Sequence, residues 1–352
     1  MASSTFATEN PIASQEQRTF IGGLGFDRVM MVLSFLFVGG VYLDGWAHSH
    51  GLVDKTFFTP WHAVLYSAYA ANAVLLVAVT LMNHRRGRSW SEAVPEGYKI
   101  SLYGVPLFLI GGVGDLIWHT LFGFETGIAP LLSPTHLVLA TSAILIMSGP
   151  LQAIWRRAEN GETSRWATLF PALLSLLSVF SMLTFFTSFA SPITHIQLLT
   201  NPYTEVYGSW GAAGVLLQAT MLMGMLLLML RRWQLPLGSM TMLFTLNAAL
   251  MDLFNKQYLL APVVAAAVAG VICDLLFWRL QPSVKRSGAF RLFAFVVPII
   301  YYLSYFASVE LTSSGITWTI HLWLGVTVMS GFASLLMSYL LVPPAFPEAA
   351  RS

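Results

Sequence analysis

Charge is what this chain has least of. Only 10% of its 352 residues are Asp, Glu, Lys or Arg, against 56% hydrophobic residues and a mean hydropathy of +0.68. Water-soluble domains carry roughly a quarter charged residues, so composition excludes a soluble globular chain. A single cysteine, Cys273, excludes an internal disulfide and tells nothing of redox compartment. The 18 basic residues are dispersed and the net charge is only +2, which excludes nucleic-acid binding. The opening MASSTFATENPIASQEQRTFIGGLGF lacks the basic-then-apolar order of a cleaved signal. No flavin, nicotinamide or haem motif occurs.

What is present is a series of apolar runs near bilayer-spanning length, on the order of 20 residues each. They lie at 27–47, 60–82, 99–121, 134–153, 166–189, 209–230, 237–254, 258–278, 291–308 and 318–342. The expected fold is all-α, a polytopic integral membrane protein of about ten transmembrane helices, the seventh and ninth being short. Of the 18 basic residues, only Lys55 and Lys256 fall on one side of this map. Lys and Arg are retained in the cytoplasm, so both termini are expected to be cytoplasmic. The organisation follows: a cytoplasmic tail 1–26, a four-helix unit 27–155, a six-helix unit 156–342 of unknown role, and a cytoplasmic tail 343–352. A bacterial inner or intracytoplasmic membrane is the expected location.

The histidines sort the opposite way. His48, His50, His62, His119, His136, His195 and His321 fall at or near the non-cytoplasmic helix ends, leaving only His84 inside. Asp44, Asp115, Glu125 and Glu310 join them. A polar site facing the periplasmic or extracellular side is implied.

Two stretches within this layer share one design. DGWAHSHGLVDKTFFTPWH carries Asp44, His48 and His62; GDLIWHTLFGFETGIAPLLSPTH carries Asp115, His119 and His136. Residues four apart share a helix face, so each Asp-His pair is a two-toothed chelate. His62 and His136 follow Pro60 and Pro134, and proline suits a first helical turn. Each set therefore offers one carboxylate and two imidazoles with an open position, a donor set suited to a metal centre that does chemistry. GGVYLD and GGVGD precede the two chelates at corresponding places, the mark of a duplicated metal-binding hairpin. Spacing leaves open one dinuclear site or two mononuclear ones.

Other polar residues read as structural. Ser191, His195, Glu205, Asp252, Asn255, Glu310 and His321 are the outer-end polar groups of the second half. Glu310 and His321 are expected to tie two helix ends, and Asp274 to pair with Arg279. His50 and Asp54 flank the first set as loop residues. Trp46, Trp61 and Trp118 fit an interfacial belt. The 15 methionines are mostly isolated in apolar helices and give no copper-conducting spacing.

At DKTFFTPWH and HTLFGFETGIAP the chain resembles the C subunit of the copper-containing membrane monooxygenases that oxidise methane, ammonia and short hydrocarbons. The likeness covers about residues 40–150. It implies one copper on Asp44, His48 and His62 and a second on Asp115, His119 and His136, with Glu125 as a neighbouring acidic group or proton relay. Asp115 stands where that family has asparagine, which favours Cu(II), iron or zinc, and three extra residues precede His136. The resemblance further implies dioxygen-dependent oxidation of a small apolar substrate, an electron donor such as a quinol, and other membrane subunits or a homo-oligomer within the lipid. A zinc-dependent membrane hydrolase acting on a lipid, and a non-catalytic copper-binding or assembly subunit, are the alternatives.

Overall fold

In a computed structural model the chain is helical throughout, with no strand among the described residues, which are 20–52, 58–125, 127–157, 165–255, 258–313 and 315–344. Most of the two tails, together with Asp54, Lys55 and Lys256, lie outside them. Among the described residues nine helices are long and apolar enough to cross a membrane. These are α1 (Gly23–Ser49), α2 (Pro60–Arg85), α3 (Lys99–Phe122), α4 (Pro134–Arg156), α5 (Trp166–Phe186), α6 (Glu205–Leu230), α8 (Leu260–Leu280), α9 (Ser287–Thr312) and α10 (Ile320–Leu341). The chain is an all-α polytopic membrane protein.

The seventh expected span is shorter than its apolar run. Helix α7, Ser239–Asp252, has 14 residues, about 21 Å of the roughly 30 Å that a hydrocarbon core requires. Gly238 precedes it at φ 93°, a left-handed backbone that glycine adopts without strain. At its other end the Asp252 carboxylate takes the Leu259 N–H at 3.0 Å and the Asn255 amide at 2.8 Å, turning the chain back. The ninth span is long, not short: α9 runs 26 residues, its two ends carrying the polar Ser287 and Glu310 that hydropathy alone trims away. Helix α4 is interrupted at Ser148, two residues before Pro150, which has no N–H to donate.

The pair expected between Asp274 and Arg279 does not form among the described residues. Asp274 instead accepts from the Met240 and Thr241 N–H groups at 3.1 and 3.0 Å and from the Thr241 hydroxyl at 2.6 Å. It caps the start of α7, because orphan N–H groups at a buried helix end need an acceptor more than an interfacial arginine needs a partner. Likewise Glu310 takes the Ile316 N–H at 2.8 Å and does not reach His321. A buried ion pair that sequence did not single out joins Asp27 of α1 to Arg157 beyond α4, with the Tyr98 hydroxyl donating to the same carboxylate at 2.9 Å.

Helix α5 is the most enclosed, with 83% of its apolar window buried. It packs against α1 and α4 on one side and α6 and α7 on the other, so one apolar core runs through both halves. Helices α1 and α2 form one hairpin, α3 and α4 another. Their close approach follows from the repeated glycines. A Cβ on Gly40 would stand 3.0 Å from Leu65 Cα, and one on Gly111 would stand 3.0 Å from a Leu139 methyl. The two glycines lie one turn before Asp44 and Asp115 respectively, where small residues let membrane helices touch.

Candidate metal centre

Each triad is assembled by one hairpin. Asp44 and His48 occupy the last turns of α1 and His62 is the third residue of α2. Asp115 and His119 occupy the last turns of α3 and His136 is the third residue of α4. All four helix ends lie at the same end of the bundle. In the first triad, Asp44 Oδ2 lies 3.7 Å from His48 Nε2 and Oδ1 lies 3.5 Å from His62 Nε2. In the second, Asp115 Oδ2 lies 3.5 Å from His119 Nε2 and Oδ1 lies 3.3 Å from His136 Nε2. Within each set the ligand atoms all lie within 4.8 Å of one another.

These separations bear on two readings. A direct N–H···O bond spans about 2.7–3.2 Å, and all four contacts are longer. Donors arranged tetrahedrally on one ion at about 2.0–2.1 Å stand about 3.3 Å apart; the shortest contact, 3.3 Å, equals that spacing and the longest, 3.7 Å, exceeds it. The tautomer of His119 sharpens the point. Its Nδ1 lies 3.2 Å from the Gly123 carbonyl oxygen, which only accepts, so Nδ1 carries the proton. A neutral ring then turns the lone pair of Nε2 toward the Asp115 carboxylate, an arrangement that a cation between them stabilises. In the first triad, Asp44 Oδ1 is shielded from solvent and accepts no hydrogen bond among the described residues. A buried carboxylate oxygen without a partner is costly unless a cation meets it.

The two triads are separate clusters, yet near neighbours: Asp44 lies within electrostatic reach of Asp115 and His136, and His48 within reach of His119 and His136. Tyr66, absent from the sequence reading, stands between them. It follows His62 by one turn on α2, and its hydroxyl would lie 2.7 Å from a Cβ on Gly112, one turn before Asp115 on α3. The i+4 spacing from His62 is the signal that could have found it.

Supporting groups gather mainly on the second triad. Thr135 donates its hydroxyl to Asp115 Oδ1 at 2.8 Å, and Ser133 Oγ meets His136 Nδ1 at 2.8 Å. Glu125 Oε2 stands 3.6 Å from His119 Nδ1, on the far side of the ring from Asp115. Trp118, expected to be only an interfacial ring, donates to Glu125 Oε1 at 2.6 Å. The connection before His136 holds a helical turn at Ala129–Leu132, and His136 joins Asp115 and His119 in the second set. By contrast, His50 turns its Nδ1 to the Trp46 carbonyl and stacks on the Trp46 ring, away from the donors. His195 lies in the connection between α5 and α6, where burial holds its imidazole below the usual range; it joins neither triad. Comparison of the chain with family models, with curated proteins and with solved structures gives no match.

Proposed function

We propose that the chain is an integral membrane metalloprotein in which each triad holds one ion, copper in the reading the sequence resemblance favours, and that it oxidises a small apolar substrate with dioxygen. The observation that carries the metal reading is the collection of six donors into two three-donor sets, each carboxylate 3.3–3.7 Å from both of its imidazoles. Asp44, His48 and His62 hold the first ion; Asp115, His119 and His136 hold the second. Bound copper supplies redox chemistry with dioxygen. The chain's own residues do the rest. The two carboxylates balance the ion's charge, and the Gly123 carbonyl and Ser133 hydroxyl fix ring orientation in the second set. Glu125 sits behind His119 to hold the ring or move a proton at Nδ1. Three protein ligands leave a position open in each set.

Apolar side chains on the outward faces of α2 and α3, such as Val64 and Ile117, let an apolar substrate arrive from lipid. The clustering of basic residues at the opposite helix ends supports a bacterial inner membrane with the site on the periplasmic side. Electrons come from a donor of the quinol class, and other membrane subunits or a second copy complete the assembly.

The test is metal analysis with electron paramagnetic resonance on protein isolated from native membranes, comparing wild type with His48→Ala and His119→Ala. Copper in the wild type and loss of one equivalent in each variant is the expected result. Unchanged metal in both variants ends the metal reading. Zinc that persists through copper depletion replaces the oxidase reading with a hydrolytic one.

A further inference from the structure

The second half of the chain has a polar centre of its own, far in sequence from the triads. After α5 the chain makes a 3-10 turn at Ser188–Ala190, passes through Ser191, Pro192 and Ile193, and returns by a helical turn at Gln197–Thr200. This segment lies deep. A Cβ on Gly214 would stand 1.8 Å from the Ala190 carbonyl oxygen, placing that backbone against α6 about 14 Å in from the helix start. Non-helical backbone at such depth persists only where protein buries it or where it lines a hydrated cavity. Its carbonyls have partners: Tyr305 donates its hydroxyl to Pro192 at 2.6 Å, Asn255 its amide to Ile193 at 3.1 Å, and Trp318 its ring N–H to Leu198 at 2.8 Å.

Against this segment is a cavity whose polar lining is Ser191, Gln218, Asn247, Tyr301 and Tyr302; no charged side chain lines it. Its volume, taken as the room open to the centre of a water molecule, is ≈ 20 Å³. A single water requires on the order of 10–15 Å³ by that measure.

The hydrogen bonds around the cavity leave it a defined set of free groups. The Gln218 NH2 group donates to the Thr187 carbonyl and hydroxyl oxygens at 3.4 and 3.1 Å. The Asn247 NH2 group donates to the Thr184 and Ser181 hydroxyl oxygens at 2.9 and 3.3 Å. These amide orientations follow from chemistry. The Thr187 carbonyl only accepts, and the Thr184 hydroxyl already gives its proton to the Ser181 carbonyl at 3.1 Å. Each amide therefore has its carbonyl oxygen left over. The hydroxyls of Ser191, Tyr301 and Tyr302 have no hydrogen-bond partner among the described residues.

Two amide oxygens that need donors and three hydroxyls that need acceptors belong to residues lining one buried cavity. Unpaired, such groups are destabilising. An ion would bring charge with nothing in the wall to balance it. The short α7 and the re-entrant segment bracket the cavity, and interrupted membrane segments are where such proteins place binding sites. We infer that this chamber is a ligand site for one neutral molecule that both donates and accepts hydrogen bonds, of the size of water, held between the re-entrant segment and α6, α7 and α9. It stands whether or not the triads hold metal.

The test is thermal unfolding of the purified full chain as wild type, Tyr301→Phe and Tyr302→Phe, with a high-resolution density map of the wild type. An occupied chamber loses a hydrogen bond in each variant, so Tm falls by a few degrees, and the map shows a density peak within reach of both hydroxyls. A dry chamber gives the opposite sign, because phenylalanine removes an unpaired hydroxyl and Tm rises; that result overturns the inference. Where Tm is unchanged or a variant fails to fold, the wild-type map decides, and an empty chamber overturns the inference equally.

Discussion

The two triads share donors, order and hairpin geometry, yet they are finished differently. Around Asp115 the supporting bonds are in place: Thr135 donates to the carboxylate, Ser133 meets His136, and the Gly123 carbonyl meets His119, with Glu125 3.6 Å from the same ring nitrogen. Around Asp44 they are sparser. Among the described residues Oδ1 accepts no hydrogen bond, and Thr59, the counterpart of Ser133, accepts from the His62 backbone N–H at 3.1 Å. The side chain of His48 is 38% exposed against 8% for His119. The proposed resemblance ranks the first triad higher; supporting geometry among the described residues ranks the second higher. One motif thus yields a pre-organised donor set in one hairpin and a more open one in the other.

The largest effect expected is at the carboxylates. Asp115→Ala removes the group that both second-site imidazoles share and should abolish one metal equivalent outright, leaving the other. Asp44→Ala should do the same for the first site. Elemental analysis of the two variants and of the double variant checks this. If Asp115→Ala alone strips all metal, the sets act as one dinuclear centre and the comparison of two sites collapses.

Next come the groups behind the ligands. Thr135→Val and Glu125→Gln each remove a partner of a ligand and not the ligand itself. Loss of such outer partners typically costs about 10–100-fold in metal affinity. Competition titration with a chelator should show that loss at the second site only, with the first site's affinity unchanged. Equal weakening of both sites would mean that these residues act through general stability and not through orientation.

Much of this was legible in the residues. Run lengths give the long helices, the i, i+4 spacing gives the chelates, and a histidine two residues after a proline at a helix start gives the third donor. The repeated glycines mark the hairpin contacts. What escaped has a common cause. Thr135, Ser133 and Tyr66 belong to residue types that occur everywhere in the chain, and only the fold shows which hydroxyl faces a ligand. The shortness of α7 depends on Gly238, Asp252 and Asn255 acting together, which a hydropathy window averages away. The true partner of Asp274 is a helix start thirty-odd residues upstream, invisible to a search for nearby opposite charge.

Acid should separate the two sites. Imidazole binds metal only when neutral, and its ordinary pKa is about 6.5, so protons compete increasingly as pH falls through that range. Metal retention measured against pH in His119→Ala, where the first triad alone is intact, and in His48→Ala, where only the second is, should show the first releasing at the higher pH. The Gly123 carbonyl and the Ser133 hydroxyl hold the rings of the second set in place, so its tighter ion withstands more proton competition than the ion of the first set. Release of the second site first would reverse the ranking by geometry.

The smallest expected effect is the most specific to the comparison, because it concerns two residues at one structural position. Thr59 and Ser133 both precede the proline of a donor-bearing helix, but Thr59 spends its oxygen on the helix N-terminus and Ser133 spends its own on the His136 ring. Thr59→Ala should therefore cost about 1 kcal/mol of stability, the usual worth of an N-cap, with metal affinity at the first site nearly unchanged. Ser133→Ala should do the reverse, leaving Tm nearly unchanged, since it makes no capping bond, while weakening the second site through a ring free to turn. Thermal unfolding and chelator competition on the same two preparations separate the effects. If Thr59→Ala weakens metal as much as Ser133→Ala does, the caps of both hairpins orient their histidines through the backbone, and the two triads are more alike than their hydrogen bonds indicate.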